Sequence, residues 1–247
     1  MNEWVMGKVV AKRRWNDGLY SMQIEAPVSA FTAGQFIKVA LDIDGDRVGR
    51  PYSLVNPPSE RPLEIYFNEI PGGPLTPRLS DLSPGDSLWV TARPSGIFTL
   101  DGIQPGPELW LLATGTALGV YLSILRTSEP WQSFQRVILV HGVRTAGELT
   151  YGETLQLIAN EYGERFTAVP LVSREEHAGA LPGRVTDLLT NGELEKRVGV
   201  PINPARSHVM LCGNSEMIKE VKAILEGRGL VRHRRNSPGH YTTEHYH

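Results

Sequence analysis

The feature that most constrains this chain is a change in the period of its hydrophobic pattern near residue 100. Before that point apolar residues alternate with polar ones: Tyr20, Met22 and Ile24 around Ser21, Gln23 and Glu25, then Ile37, Val39 and Leu41, then Leu63, Ile65 and Phe67, then Leu88 and Val90. A period of two turns one face of a strand inward and the other outward. Several such strands, parted by Pro and Gly, predict a small antiparallel β-barrel over residues 1–100. After Asp101-Gly102-Ile103-Gln104-Pro105-Gly106-Pro107, read as a linker, the apolar residues become contiguous: Leu109 to Ala113, Val137 to Val140, Ala168 to Val172 and Val209 to Cys212. Strands apolar on both sides belong to a buried parallel sheet. Helical stretches separate them, Ala117 to Leu125, Tyr151 to Tyr162, Val185 to Leu189, and Glu216 to Leu225 with Ile218, Val221 and Leu225 on one stripe. The expected fold class is two-domain, β followed by α/β. A Rossmann-like parallel sheet over 101–247 would bind its ligand at the C-terminal strand ends.

Polar residues interrupt this pattern at informative places. Arg50-Pro51-Tyr52-Ser53 follows the β-like run Gly34 to Leu41 and a hairpin turn at Asp44-Gly45-Asp46. In extended chain Arg50 and Tyr52 share one face and Ser53 takes the other. A guanidinium grips phosphate, an aromatic ring covers a flat heterocycle and a hydroxyl bonds its edge. The same residues also suit the solvent face of an ordinary strand. Pro71 to Leu79 reads as a glycine turn running into a helix with Thr76 as N-cap and Pro77 at its first position. Such a start suits a pyrophosphate, or simply plugs a barrel.

The first apolar strand of the second half empties into Thr114-Gly115-Thr116-Ala117-Leu118-Gly119, a strand, glycine turn and helix start. Val143-Arg144, Ser173-Arg174 with Arg184 beyond, and Cys212-Gly213-Asn214 follow the later strands. A site for NAD would show an acid accepting from the ribose hydroxyls, whereas a 2′-phosphate calls for arginines and a hydroxyl. Ser173, Arg174 and Arg184 therefore point to NADP(H), unless they only solvate a loop edge.

Composition excludes some classes. A net charge of -2 gives no global reason to expect nucleic acid or an anionic membrane as partner. Cys212 is the one cysteine, so neither a disulfide nor a cysteine-ligated iron–sulfur cluster can form within the chain. No apolar run approaches the about 18 residues of a membrane span, and Met1-Asn2-Glu3-Trp4 begins no leader, so a cytoplasmic protein is expected. His240, His245 and His247 share no helix face, and no metal site is expected from them.

Taken in order, R-x-Y-S at Arg50, GGPLTPRL at Gly72, ATGTALG at Ala113, HGVR at His141, VSRE at Val172, LCGN at Leu211 and EHY at Glu244 resemble the ferredoxin/flavodoxin–NADP(H) reductase family. The likeness runs from Trp4 to Tyr246. It implies FAD on the barrel, held by Arg50, Pro51, Tyr52, Ser53, Tyr66, Phe67, Asn68, Glu69, Pro74, Leu75 and Thr76, with Thr116, Tyr246 and His247 contributed from the second half. It implies NADP(H) on the parallel sheet, held by Val143, Arg144, Ser173, Arg174, Arg184, Met210, Leu211, Cys212, Gly213 and Asn214. In the family the C-terminal tail returns to the flavin, and bacterial relatives close on a tryptophan where this chain has His247. Ser53, Cys212 and Glu244 are the implied catalytic residues, orienting the flavin edge and the nicotinamide. The implied partner is an acidic ferredoxin or flavodoxin, for which Arg232-His233-Arg234-Arg235, aided by Lys12-Arg13-Arg14, would form a docking patch; a monomer is expected. Two alternatives share the pattern: a reductase serving an oxygenase or free flavins, and a nucleotide-binding regulatory module without turnover.

Overall fold

The computed structural model describes residues 3–246. By packing, the chain divides into two units, Met1–Thr99 with Gly119–Thr127, and Leu100–Leu118 with Ser128–His247.

The first unit is built on six strands: β1 (Trp4–Asn16), β2 (Leu19–Glu25), β3 (Phe36–Ile43), β4 (Asp46–Ser53), β5 (Leu63–Asn68) and β6 (Ser87–Thr91). They pair antiparallel in the order β4-β3-β6-β1-β2-β5. The outer strands meet through a bridge between Leu54 and Ile65 and a bond from Val55 N–H to Glu64 O at 2.9 Å, which closes the sheet into the expected barrel. Its core is the inward set of the alternating pattern, Met22, Ile24, Ile37, Val39, Leu63, Ile65, Leu88 and Val90. Strand β1 lay outside the sequence reading. Lys8, Lys12, Arg13 and Arg14 hide its period, and bulges between Val9 and Ala11 and between Arg14 and Asn16 shift it. Between β3 and β4, Asp44 (φ 53°) and Gly45 (φ 91°) form the two-residue turn that matches strand twist.

Helix α1 (Thr76–Asp81) plugs this barrel with Leu75 and Leu79, both buried. Thr76 is not its N-cap. Leu75 takes that place, and the Thr76 hydroxyl instead accepts the Ile70 N–H at 2.8 Å, closing the glycine turn 70–76.

The second unit is a sheet of six parallel strands, β7 (Gly106–Thr114), β8 (Phe134–Val143), β9 (Phe166–Val172), β10 (Leu181–Pro182), β11 (Ser207–Gly213) and β12 (Tyr241–His245), in the order β10-β9-β8-β7-β11-β12. Gly106 and Pro107, read as linker, already belong to β7. The chain starts in the middle at β7, runs outward to β10, then returns to the other side of β7. The reversal between β7 and β11 is where such sheets open a crevice for ligand. Strand β12 was also hidden, because its residues YTTEH carry no apolar period and its neighbour β11 is remote in sequence. Helices α2 (Leu118–Leu125), α3 (Glu129–Ser133), α4 (Gly152–Tyr162), α5 (Val185–Thr190), α6 (Glu193–Val198) and α7 (Ser215–Gly227) complete the chain. The predicted stripe of α7, Ile218, Val221 and Leu225, is buried in the core with Trp110, Leu112, Ile138 and Val140.

Helix α2 follows β7 in sequence, yet Gly119–Thr127 pack with the barrel. The Ser123 hydroxyl donates to Asn56 O at 2.8 Å, Arg126 pairs with Glu60 at 2.6 Å, and a Cβ on Gly119 would lie 3.1 Å from Val55 Cγ2.

Candidate functional site

The barrel presents its polar residues at the end of β4. Pairing of Val39 with Arg50, Ile37 with Tyr52 and Phe36 with Ser53 sets the alternation. Arg50 and Pro51 are exposed, Tyr52 is half-buried and Ser53 is buried. Arg50 Nη1 donates to Gly49 O at 2.9 Å, and no acidic side chain pairs with the guanidinium among the described residues. The Tyr52 ring meets Phe67 edge-on at 6.1 Å, and burial pushes its phenol up to about 12, so it stays protonated. Tyr66 and Phe67 lie buried in β5, where the Phe67 side chain is core; Asn68 is exposed and Glu69 half-buried. Pro74 is exposed, and its carbonyl accepts from Arg78 at 3.0 Å, whereas Leu75 and Thr76 are buried. Gly72 has φ 74° and nothing within 4 Å of where a Cβ would stand, leaving open space over the turn.

On the parallel sheet, most of the predicted residues gather at the C-terminal strand ends. Thr114 closes β7; its Oγ1 accepts the Asn214 N–H at 2.9 Å, tying the glycine turn to the end of β11 across the switch point. This contact requires Gly213: φ is 138°, and a Cβ would fall 2.1 Å from Thr114 Oγ1. Gly115 has φ 56° with nothing within 4 Å of its Cβ position, and Thr116 beside it is half-buried. Asn214 caps α7, accepting from Glu216 N–H at 3.0 Å and Met217 N–H at 3.2 Å.

Strands β8 and β9 continue pairing beyond their last residues. Ser173 N–H and Ser173 Oγ both donate to Val143 O at 3.1 Å, and Arg174 N–H donates to Arg144 O at 2.9 Å. The backbones of Arg144 and Arg174 thus lie side by side. Gly183 N–H donates to Val172 O at 3.0 Å, which brings Arg184, the N-cap residue of α5, to the same end. All three arginines are exposed. Two of the nearby carboxylates are engaged by the protein: Glu148 by Arg144 and Glu175 by the Ala146 N–H at 2.6 Å.

Met210, Leu211 and Cys212 are fully buried in β11. Cys212 pairs with Glu244 across β11 and β12, and burial, followed by that carboxylate, pushes its thiol well up. A thiol held protonated is a poor nucleophile. Tyr246 N–H donates to Gly213 O at 3.1 Å, so the tail runs along the sheet edge to the switch point. His247 lies outside the described residues.

The basic segment divides. Arg232, Arg234 and Arg235 are exposed, but His233 turns inward, its ring 5.8 Å from His208 and its Nδ1 accepting from Gly239 N–H at 3.3 Å. Lys12 donates to the carbonyls of Ser80 and Leu82, Arg13 lies 3.7 Å over Trp15, and Arg14 pairs with Asp17, so these three are engaged within the barrel. No cluster able to hold a metal occurs among the described residues, and no helix there is long and apolar enough to cross a membrane.

One residue beside the glycine turn, quoted in the sequence only as the start of HGVR, was given no role there. His141 is buried in β8, and its Nε2 lies 3.0 Å from Gly115 O. The available signal was an imidazole directly after the run Val137 to Val140, in a strand apolar on both faces.

Residues 11–99 match the oxidoreductase FAD-binding domain family and residues 111–223 the oxidoreductase NAD-binding domain family. The chain is 45% identical, over all of both chains, to the flavodoxin/ferredoxin–NADP reductases of Escherichia coli and Shigella flexneri. The chain belongs to the flavodoxin/ferredoxin–NADP reductase family. A crystal structure of a ferredoxin NADP+ reductase from Neisseria gonorrhoeae with bound FAD and NADP has a TM-score of 0.93 at 26% identity, covering 99% of each chain. In family terms the closed barrel is the FAD-binding fold and the parallel sheet the NAD-binding fold.

Proposed function

We propose that this chain is a ferredoxin/flavodoxin–NADP+ reductase in which residues 1–100 bind FAD and residues 101–247 bind NADP(H). The observation that carries the coenzyme choice is the gathering of Arg144, Ser173, Arg174 and Arg184 at one strand end, where Glu148 and Glu175 are already engaged by the protein. An acid accepting from a ribose diol is what an NAD site would need there. The FAD site fits on its donor set: an exposed guanidinium at Arg50, a flat protonated phenol at Tyr52 and open backbone at Gly72.

When bound, the two cofactors supply the redox chemistry, hydride passing between nicotinamide C4 and flavin N5 and single electrons passing between flavin and carrier. The chain's own residues supply position and charge. Arg50 and the Thr76 hydroxyl, whose hydrogen is left to donate, hold the pyrophosphate of FAD. Tyr52 covers the ring and Ser53 bonds its edge, while Tyr66, Phe67, Asn68, Glu69, Pro74 and Leu75 shape the groove. Cys212 and Glu244 orient the nicotinamide, Val143 and residues 210–214 line its bed, and the arginines hold its phosphates. Arg232, Arg234 and Arg235 receive an acidic carrier by electrostatic steering. The protein acts as a cytoplasmic monomer.

The test is direct. The purified chain is yellow, bleaches under anaerobic NADPH far faster than under NADH, and passes electrons to ferredoxin or flavodoxin. A colourless protein that refuses FAD would overturn the proposal, and a yellow one that reduces only free flavins would remove the carrier.

A further inference from the structure

We propose that Glu148 is a positioning residue for coenzyme specificity, holding one edge of the Arg144 guanidinium so that the opposite edge faces a 2′-phosphate. The inference rests on the reading that Arg144 contacts that phosphate. Glu148 Oε1 accepts from Arg144 Nε at 3.0 Å and lies 2.9 Å from Arg144 Nη2, while Oε2 accepts the Arg144 backbone N–H at 3.2 Å. One carboxylate thus fixes both ends of the residue. A guanidinium carries five N–H donors in a rigid fork, so a carboxylate along the Nε/Nη2 edge leaves Nη1 and the outer hydrogen of Nη2 for a ligand.

The two partners are unequal. The Glu148 side chain is 17% exposed and that of Arg144 61%, so the carboxylate is the anchor and the arginine the part offered to solvent. The anchor is itself tied down. Glu148 N–H donates to Thr145 O at 3.0 Å, and the Ala146 N–H is held by Glu175, which follows Arg174 in the loop after the neighbouring strand. Glu175 therefore clips the turn bearing Glu148 to the loop bearing the second arginine. A negative charge beside a phosphate site also repels, but this carboxylate is neutralised by the guanidinium it binds, so a phosphate meets a pair without net charge. Ordering one exposed, rotamer-rich side chain in advance is worth about threefold to tenfold in affinity.

Two conservative variants weaken the hold in different ways. Glu148→Gln keeps an acceptor for the guanidinium at the Oε1 position but removes the charge and replaces the acceptor of the Arg144 N–H by an amide donor; Glu148→Asp keeps the charge and both acceptors and withdraws them by one methylene. In the FAD-loaded protein, the Kd for 2′-phospho-AMP is expected to weaken in both, by about threefold to tenfold, with the Kd for AMP unmoved in both. KM for NADPH follows 2′-phospho-AMP, kcat does not, and Glu148→Asp on an Arg144→Ala background adds no further loss. The proposal is overturned if removing the charge tightens 2′-phospho-AMP, if AMP weakens in parallel, or if the double variant is additive. Arg144→Ala distinguishes the levels: if it leaves 2′-phospho-AMP unaffected, the phosphate reading and this inference fall together, and if it weakens binding while Glu148→Asp does not, this inference falls alone.

Discussion

The Nε2 of His141 lies 3.0 Å from the carbonyl oxygen of Gly115, joining β8 to the glycine turn at the end of β7. A carbonyl only accepts, so Nε2 carries the hydrogen. Burial draws this imidazole down from 6.5 to about 4, although the Gly115 bond and Glu148 pull the other way. The folded state thus disfavours the proton that the unfolded chain takes up readily. The stability this contributes is present in full above pH 6.5 and is lost as pH falls from 6.5 toward 4, amounting to roughly 3 kcal/mol at about 1.4 kcal/mol per pH unit. His208, drawn down to about 3 mainly by burial and then by His233, adds a loss of the same sign. Urea unfolding of wild type and His141→Gln at pH 7.5, 6 and 5 checks this, the variant showing the shallower decline. A parallel decline would show that His141 is not the group responsible.

Gly213→Ala tests the tie across the switch point. A side chain there meets Thr114 Oγ1 at 2.1 Å in a backbone conformation that L-residues rarely adopt. The expected cost exceeds about 2 kcal/mol in denaturant unfolding. KM for NADPH rises at least about tenfold, since the displaced loop would carry both Cys212 and Asn214 with it. A native-like midpoint and KM would mean that the loop yields without cost.

Thr76→Val separates the observed role of Thr76 from the expected one. The swap keeps shape and removes the acceptor of the Ile70 N–H, whose loss leaves a part-buried donor unsatisfied at about 1–3 kcal/mol. Because the bond closes the 70–76 turn, FAD dissociates faster in the variant, measured by recovery of free-flavin fluorescence on dilution. Unchanged retention of FAD would detach this turn from the cofactor.

Arg174→Ala and Arg184→Ala address coenzyme choice. A charge-assisted hydrogen bond contributes about 1.5–3 kcal/mol, and the exposure of both arginines favours the lower figure. Each variant should therefore lose about tenfold of its preference for NADPH over NADH in kcat/KM, with NADH turnover little altered. Equal losses with the two coenzymes would place these arginines elsewhere than the 2′-phosphate.

Arg234→Glu with Arg235→Glu reverses the exposed tail charge. Carrier reduction followed by stopped flow should slow several-fold at low ionic strength and converge on wild type at high salt, because screening acts on exposed charges. Rates independent of salt in the wild type would remove the docking role of this segment.

What the sequence determined is what depends on local burial. The switch from alternating to contiguous apolar runs located the barrel at Tyr20 to Val90 and the parallel strands at Leu109, Val137, Ala168 and Val209, because a side chain's period reports which faces of its element meet the core. It also located the polar residues that gather at the strand ends, since polar groups just beyond a buried strand stand at its end. It overlooked β1, masked by Lys12 to Arg14, and misassigned Thr76, whose hydroxyl found Ile70 in place of its own helix. Only the tertiary structure decided which distant residues share a position. It set Glu244 against Cys212 by laying a polar tail along β11, bonded His141 to Gly115, and gave Glu148 to Arg144 while Glu175 held the turn from the loop after the next strand. It also assigned Gly119–Thr127 to the barrel. These pairings follow from strand order and register, which backbone hydrogen bonds between remote segments establish and no local period encodes.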